Sequence, residues 1–131
     1  MLKKLRSATP ISLDLGLLIL RFFSFGFMLT HGWPKFQKVV VGNFQFTDPL
    51  GLGSGLSLGL AVFAEFFCAI FIMLGLFTRT ALLFNAITML IAAFVVHASD
   101  PFKNKEMALL YLVISVALIF TGPGKYALDK K

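Results

Sequence analysis

Four apolar runs, each close to the length of a membrane-spanning helix, constrain this chain more than any other feature. They cover residues 11–30, 56–77, 80–97 and 106–121, and a helix needs roughly 17–25 residues to cross a bilayer. Hydrocarbon offers no water to a backbone N–H or C=O, so each run must satisfy its own polar groups by forming a helix. The expectation is an all-α integral membrane protein, a four-helix bundle forming a single membrane domain over residues 1–131. Composition agrees, because 58% of residues are hydrophobic, sixteen are Phe, and only 14% are charged. A soluble domain of this size would need more polar surface than that. The third and fourth runs are short in strictly apolar residues, so flanking polar groups must reach toward the interfaces, or the bilayer must thin. Asp100-Pro101 with Lys103 and Lys105 separates them as a loop.

Lys3, Lys4 and Arg6 precede the first run as they would precede a secretory signal. The run is too long for that, Arg21 interrupts it, and no small-x-small cleavage site precedes His31-Gly32-Trp33-Pro34. A retained helix fits better. With four spans, Lys3, Lys4, Arg6, Arg79, Lys125, Lys130 and Lys131 share one side, and Lys35, Lys38, Lys103 and Lys105 the other. Seven cations against four place both termini in the cytoplasm of a cell inner membrane. The net charge of +6 therefore reflects topology and contact with membrane lipids. No basic stripe interleaves with exposed aromatics, so nucleic acid is not an expected partner.

Arg21 lies inside the first run and Glu65 inside the second. If the first helix ends at His31 and the second starts near Leu56, the two residues sit roughly 15 and 14 Å below the same membrane surface at 1.5 Å per residue. An unpaired charge at mid-bilayer costs at least roughly 2.5–3.5 kcal/mol. The matched depths predict an Arg21–Glu65 ion pair inside the bundle. Asp14, Arg21 and Met28 recur every seven residues, with Ser24 and His31 close in angle, as one inward polar stripe. Ala61, Ala64, Cys68 and Ala69 around Glu65 would let another helix approach closely. The competing reading of the pair is a structural one, in which it only fixes register.

A second polar group collects at the opposite surface from the termini: His31 and Lys35 after the first helix, His97 at the end of the third, Glu106 at the start of the fourth. Antiparallel crossing brings these ends to one level. His31, His97 and Glu106 are candidates for proton transfer, and Arg21, Lys35, Glu65, Asn85 and Tyr111 for ligand binding. The structural alternative for the histidines is simple solvation at the interface. Asn85, and Tyr111 with Ser115, could equally be hydrogen-bonded glue between helices. No metal is expected, since HExxH, CxxC and CxxCH are all absent. The single cysteine, Cys68, can form no internal disulfide. The connection from Gly32 to about Gly55 is long for a helical bundle and is expected to cap the site. Its Phe36, Phe44 and Phe46, with Trp33, read as an interfacial aromatic belt.

The segments LRFFSFGFMLTHGWPK, AEFFCAIFIMLGLFTR, MLIAAFVVHASDPF and KEMALLYLVISVALIFTGPGKYALD, in this order, resemble the DoxX family of small four-helix membrane proteins. The resemblance covers residues 11 to 129 and is most specific at Arg21, His31, Gly32 and Lys35, then Ala64, Glu65, Gly75 and Arg79, then His97. It continues through Glu106 and Tyr111 to Gly122, Gly124, Tyr126 and Asp129. It implies an association with terminal quinol oxidase, with thiosulfate:quinone oxidoreductase, or with redox-stress complexes. Fold membership does not transfer chemistry, and a lone cysteine departs from any thiol-based reading of the family.

The leading expectation is a redox-linked inner-membrane protein with a polar pocket for a quinone-like or small anionic ligand, part of a quinone-linked oxidoreductase. Quinone is the cofactor or substrate this implies, and the electron partner would be a redox protein or quinone. The alternatives are a non-enzymatic subunit or scaffold of a larger complex and a small transporter. Small residues also leave room for a homo-oligomer.

Overall fold

A computed structural model of the chain describes residues 1–130; Lys131, counted above for orientation, lies outside the described residues. A short amphipathic lead-in, α1 (Leu2–Arg6), precedes four long helices: α2 (Leu13–Val40), α3 (Ser54–Leu74), α4 (Thr78–Val96) and α5 (Phe102–Thr121). All four are long and apolar enough to cross a membrane, and no strand occurs among the described residues. The protein is an all-α membrane bundle, as its apolar runs require. One end of the bundle carries Met1 and Lys130, and the other carries the α2–α3 and α4–α5 connections; they are called here the terminal end and the far end.

The bundle is apolar on both sides. Its core holds Leu17, Phe25, Met28, Ile72, Leu82 and Leu118, while Phe27, Phe94, Val113 and Phe120 lie more than half exposed around the outside. Burial therefore cannot be driven by removing oil from water, and close packing must hold the helices. Ala61, Ala64, Cys68 and Ala69 are buried where α3 meets its neighbours. At Gly32 the approach of α2 to α3 is tighter still. A Cβ there would overlap the Glu65 carbonyl oxygen and sit 2.9 Å from the Phe66 nitrogen.

Helix boundaries follow local chemistry. Ser12 caps α2 by accepting from the Leu15 amide at 3.2 Å. The helix does not end at His31, as its sequence suggests, but runs through Pro34 to Val40. Proline removes one backbone donor. In a helix of 28 residues, roughly 42 Å long, the carbonyl that loses its partner is that of Thr30, a single missing bond that does not stop the helix. Two π-helical turns interrupt the α geometry, at Phe63–Phe67 in α3 and Ala92–Val96 in α4, where Cys68 donates to the Phe63 carbonyl and His97 to the Ala92 carbonyl.

α3 stops at Gly75, whose left-handed φ of 71° lets its amide and that of Leu76 return to the carbonyls of Ile72 and Phe71. Phe77 is left-handed as well, with φ 49°, a strained state for a bulky residue. The C-terminal tail offsets that strain. After α5 the chain turns at Gly122-Pro123-Gly124 and lies along the α3–α4 connection, with the Leu128 amide on the Leu74 carbonyl at 3.1 Å and the Asp129 amide on the Gly75 carbonyl at 2.7 Å. The Asp129 carboxylate accepts from both the Phe77 and Thr78 amides at 2.8 Å and so caps α4.

Candidate functional site

The buried charges separate into two places. Arg21 is fully buried but does not meet Glu65. Its Nη1 donates to the Ile72 carbonyl at 3.3 Å and its Nη2 to the Tyr126 carbonyl, with Asp129 as the nearby negative charge. The guanidinium thus sits at the C-terminal end of α3, where the helix dipole favours a cation, and fastens the tail to the bundle. Glu65 pairs instead with Lys35, Nζ to Oε1 at 2.6 Å. The expected Arg21–Glu65 pair fails because the depth comparison ended α2 at His31. With α2 continuing to Val40, the residue opposite Glu65 is Gly32, and Lys35 lies just beyond it.

Both partners at the far end face a cavity of about 440 Å³ between the four helices. Lys35 and His31 reach it from α2, Glu65, Ala61 and Leu60 from α3, Thr88, Ala92 and His97 from α4, and Met107 and Tyr111 from α5. Phe46, Thr47, Pro49, Leu50 and Leu52 of the α2–α3 loop complete its wall. That loop is held by Asp48, whose carboxylate accepts from the Leu52 and Gly53 amides and the Ser57 hydroxyl at 2.9–3.0 Å. Slight desolvation would raise the Asp48 pKa, but the bonds from Gly53, Ser57 and Leu52 outweigh it and hold the carboxyl below its ordinary range.

Of the residues singled out from sequence, His31, Lys35, Glu65, His97 and Tyr111 line this cavity, and Arg21, Asn85 and Glu106 do not. The His31 and Tyr111 rings meet edge to face with centroids 6.4 Å apart. His97 Nδ1 is tied to Asp100 Oδ2 at 2.7 Å, an anchor the sequence reading did not include. Asn85 is fully buried below the cavity. Its Nδ2 donates to the Ala64 carbonyl at 3.2 Å and contacts Met28 Sδ, while its Oδ1 accepts from the Ser115 hydroxyl at 3.1 Å. Those bonds join α2, α3, α4 and α5 and leave it as glue. Glu106 is exposed. Five residues before Tyr111, it lies roughly 140° around α5 from the ring that faces the cavity. Reasoning from sequence gave no anchoring role to Asp129, Asp48 or Asp100, each of which holds backbone or a side chain near an end of the bundle.

Both π-helical turns border the same cavity, the first carrying Glu65 and the second Ala92 and Val96. Such turns concentrate at functional sites, because the extra residue re-aims a side chain at a cost in backbone bonding. No sequence pattern marks them. Among the described residues no group of three or more His, Cys, Asp or Glu side chains is placed to hold a metal ion.

The DoxX family model matches residues 16–98, which span α2, α3, α4 and the π turns that shape the cavity. The chain belongs to the DoxX family. An uncharacterized protein of Haemophilus influenzae is 32% identical over 114 residues, covering 79% of this chain and 80% of its own. A Bacillus subtilis protein named "Putative oxidoreductase CatD" is 33% identical over 119 residues, 90% of this chain and 87% of its own. No solved structure matches. This DoxX protein is a multi-pass membrane protein in contact with lipid.

Proposed function

We propose that this DoxX protein is a redox-linked protein of the cell inner membrane, with both termini cytoplasmic, whose far-end cavity binds a quinone-like head group. The observation that carries the reading is the Lys35–Glu65 pair in the wall of a predominantly apolar cavity. Charged groups at membrane depth are costly and concentrate where a polar ligand or proton must be handled. Arg21 is bonded to backbone and remote from the cavity, whereas Lys35 and Glu65 keep further donor and acceptor capacity facing it. The name of the Bacillus subtilis relative lends weight to a redox role.

The residues suit such a ligand. Lys35 Nζ would donate to a ring carbonyl, Glu65 would accept a proton from the reduced ring hydroxyl or return one, and His31 and Tyr111 would hold the opposite edge. A volume of about 440 Å³ lies within the range of small-ligand sites. A bound quinone would supply two-electron chemistry. A partner redox protein would give two electrons when the ring takes up its two protons and accept two electrons when the ring releases them.

Binding of a benzoquinone to the purified protein in lipid nanodiscs tests this. Lys35→Gln and Glu65→Gln should each weaken binding about tenfold, equivalent to one lost charge-assisted hydrogen bond, with the fold retained. Unchanged binding in both variants would overturn the assignment. A second reading, a non-enzymatic subunit, is favoured by the outward aromatic cluster of α2 and α3, where Phe36 and Phe66 stack at 4.5 Å beside Trp33 and Phe67. It predicts that Phe36→Ala with Phe67→Ala disrupts a native complex that Glu65→Gln leaves intact.

A further inference from the structure

The four helices do not enclose the far-end cavity equally. α3 and α4 pack closely from Phe63 toward the terminal end, and outside it they draw apart, α3 following α2 and α4 following α5. Phe63 and Phe84 meet edge to face at 5.3 Å and form the sill of the gap. Above them Leu60 of α3 and Ile91 of α4 line the cavity, and Leu60 is at the same time 48% exposed on the outside of the bundle. A residue that is both cavity wall and outer surface marks a rim; His31, Leu50, Leu52 and Met107 mark other stretches of it, and at Leu60 the rim coincides with the parting of α3 from α4. Between α2 and α5 the buried Tyr111 ring packs against Phe25 and against the exposed His31 at 6.2 and 6.4 Å. Toward the aqueous phase, the loop latched by Asp48 supplies apolar side chains to the wall.

We propose that the α3–α4 gap is a lateral portal, through which the cavity takes an amphiphile from the far-end leaflet, its polar head at Lys35–Glu65 and its alkyl or isoprenoid tail lying out between Leu60 and Ile91. The gap opens within the apolar band of the helices, so a tail there stays in hydrocarbon while the head reaches a charge pair that lipid cannot supply. A water-soluble anion would need the opposite layout, with a polar path through the loop, and Phe46, Pro49, Leu50 and Leu52 give that route an apolar wall. This rests on the cavity being the ligand site, and it narrows the ligand class to molecules with a tail. The π turn that follows the rim in α3 also sets Glu65 behind the portal, so the head and tail subsites are shaped by one feature of one helix.

Leu60→Trp should fill the portal without touching the charge pair. In nanodiscs, a dimethoxybenzoquinone bearing a ten-carbon tail should lose about tenfold or more in affinity for Leu60→Trp, and the same ring without a tail should change less than twofold. In wild type, a phospholipid with a diazirine on its acyl chain should label the peptides containing Leu60 and Ile91, and Leu60→Trp should abolish that labelling. Equal loss for both quinones, or loss for neither, would overturn the portal, as would absence of diazirine labelling in wild type. If wild type binds neither quinone but the portal peptides are labelled and Leu60→Trp blocks it, the portal stands and the quinone assignment falls. Ile91→Trp fills the gap from the other helix and replaces Leu60→Trp should that variant misfold.

Discussion

The two ends of the bundle each hold a cation, fully buried at one and partly buried at the other, and the contrast between them separates structure from function. At the terminal end Arg21 donates to two backbone carbonyls and faces Asp129, which itself caps α4. The two terminal nitrogens of its guanidinium are committed to backbone while its Nε is buried without a partner, and what the arrangement joins is the last turn of α3 and the returning tail. At the far end Lys35 meets a single side chain, Glu65, and both line a cavity. A cation with backbone partners is committed for the life of the fold; one whose partner is a carboxylate in a cavity wall can exchange that partner for a ligand. Where the partners come from, more than depth or burial, is the useful discriminator.

The sharpest way to break this comparison is to remove each charge. Arg21→Ala should cost about 3–5 kcal/mol, since it strips the carbonyls of their donor and leaves Asp129 facing no cation. Lys should not rescue it, because an ammonium cannot span two carbonyls as a planar fork does. Glu65→Gln should cost only about 1 kcal/mol or less, because Lys35 is a quarter exposed and can reach toward the interface. Unfolding of both variants in the same detergent, followed by circular dichroism, gives the ratio. Equal losses would mean that the Lys35–Glu65 pair is structural.

Glycines test the same contrast through packing. Gly75→Ala should be the worse of two substitutions, since the new methyl meets Ala127 and the Arg21 guanidinium at a residue with φ 71°. Gly32→Ala should cost about 1–3 kcal/mol by pressing α2 away from α3, and it should also weaken ligand binding because Lys35 moves with α2. A stability loss at Gly32 with intact binding would uncouple the cavity from that helix contact. Asn85→Ala is the counterpart inside the core. It should lose about 1–3 kcal/mol by orphaning Ser115 and the Ala64 carbonyl, with ligand affinity unchanged.

The bundle itself was legible in the sequence because the bilayer permits few solutions for apolar runs of this length. His31, Lys35 and His97 were legible as neighbours because antiparallel topology fixes which helix ends share a level, while Glu106, grouped with them on the same ground, does not line the cavity. Partners were not. His31-Gly32-Trp33-Pro34 looks like a helix end, yet the proline removes a single backbone bond, which does not stop the helix, so α2 continues and the register shifts by over two turns. Arg21 was then matched to the wrong carboxylate, while its true setting comes from a tail over a hundred residues away. Asp129 was recognised in GPGKYALD without a role, because a carboxylate that caps a distant helix has no local signature. Neither π turn could be read, since an i→i+5 bond reflects packing rather than composition.

The smallest effect expected at the terminal end is also the most specific to it. Asp129 is partly desolvated, which would raise its pKa, but bonds from Thr78 and Phe77 and the charge of Arg21 outweigh this and hold it below its ordinary 3.8. A carboxylate whose folded pKa is depressed contributes stability that is fully present above the unfolded value and is lost as pH falls through the folded one. Asp129→Asn should therefore cost about 1 kcal/mol at pH 7, because the amide accepts through one oxygen where the carboxylate accepts through two, and the same at pH 5. The difference from wild type should shrink only below about pH 4, as the wild-type carboxyl takes up its proton. Melting curves of the two proteins should stay equally far apart at pH 7 and 5 and draw together only at pH 3, with the tail more accessible to protease in the variant at the two higher values. A gap that persists at pH 3 would mean that the amide geometry at Phe77 and Thr78, rather than the charge, holds the tail, and Arg21 would then owe its place to the carbonyls alone.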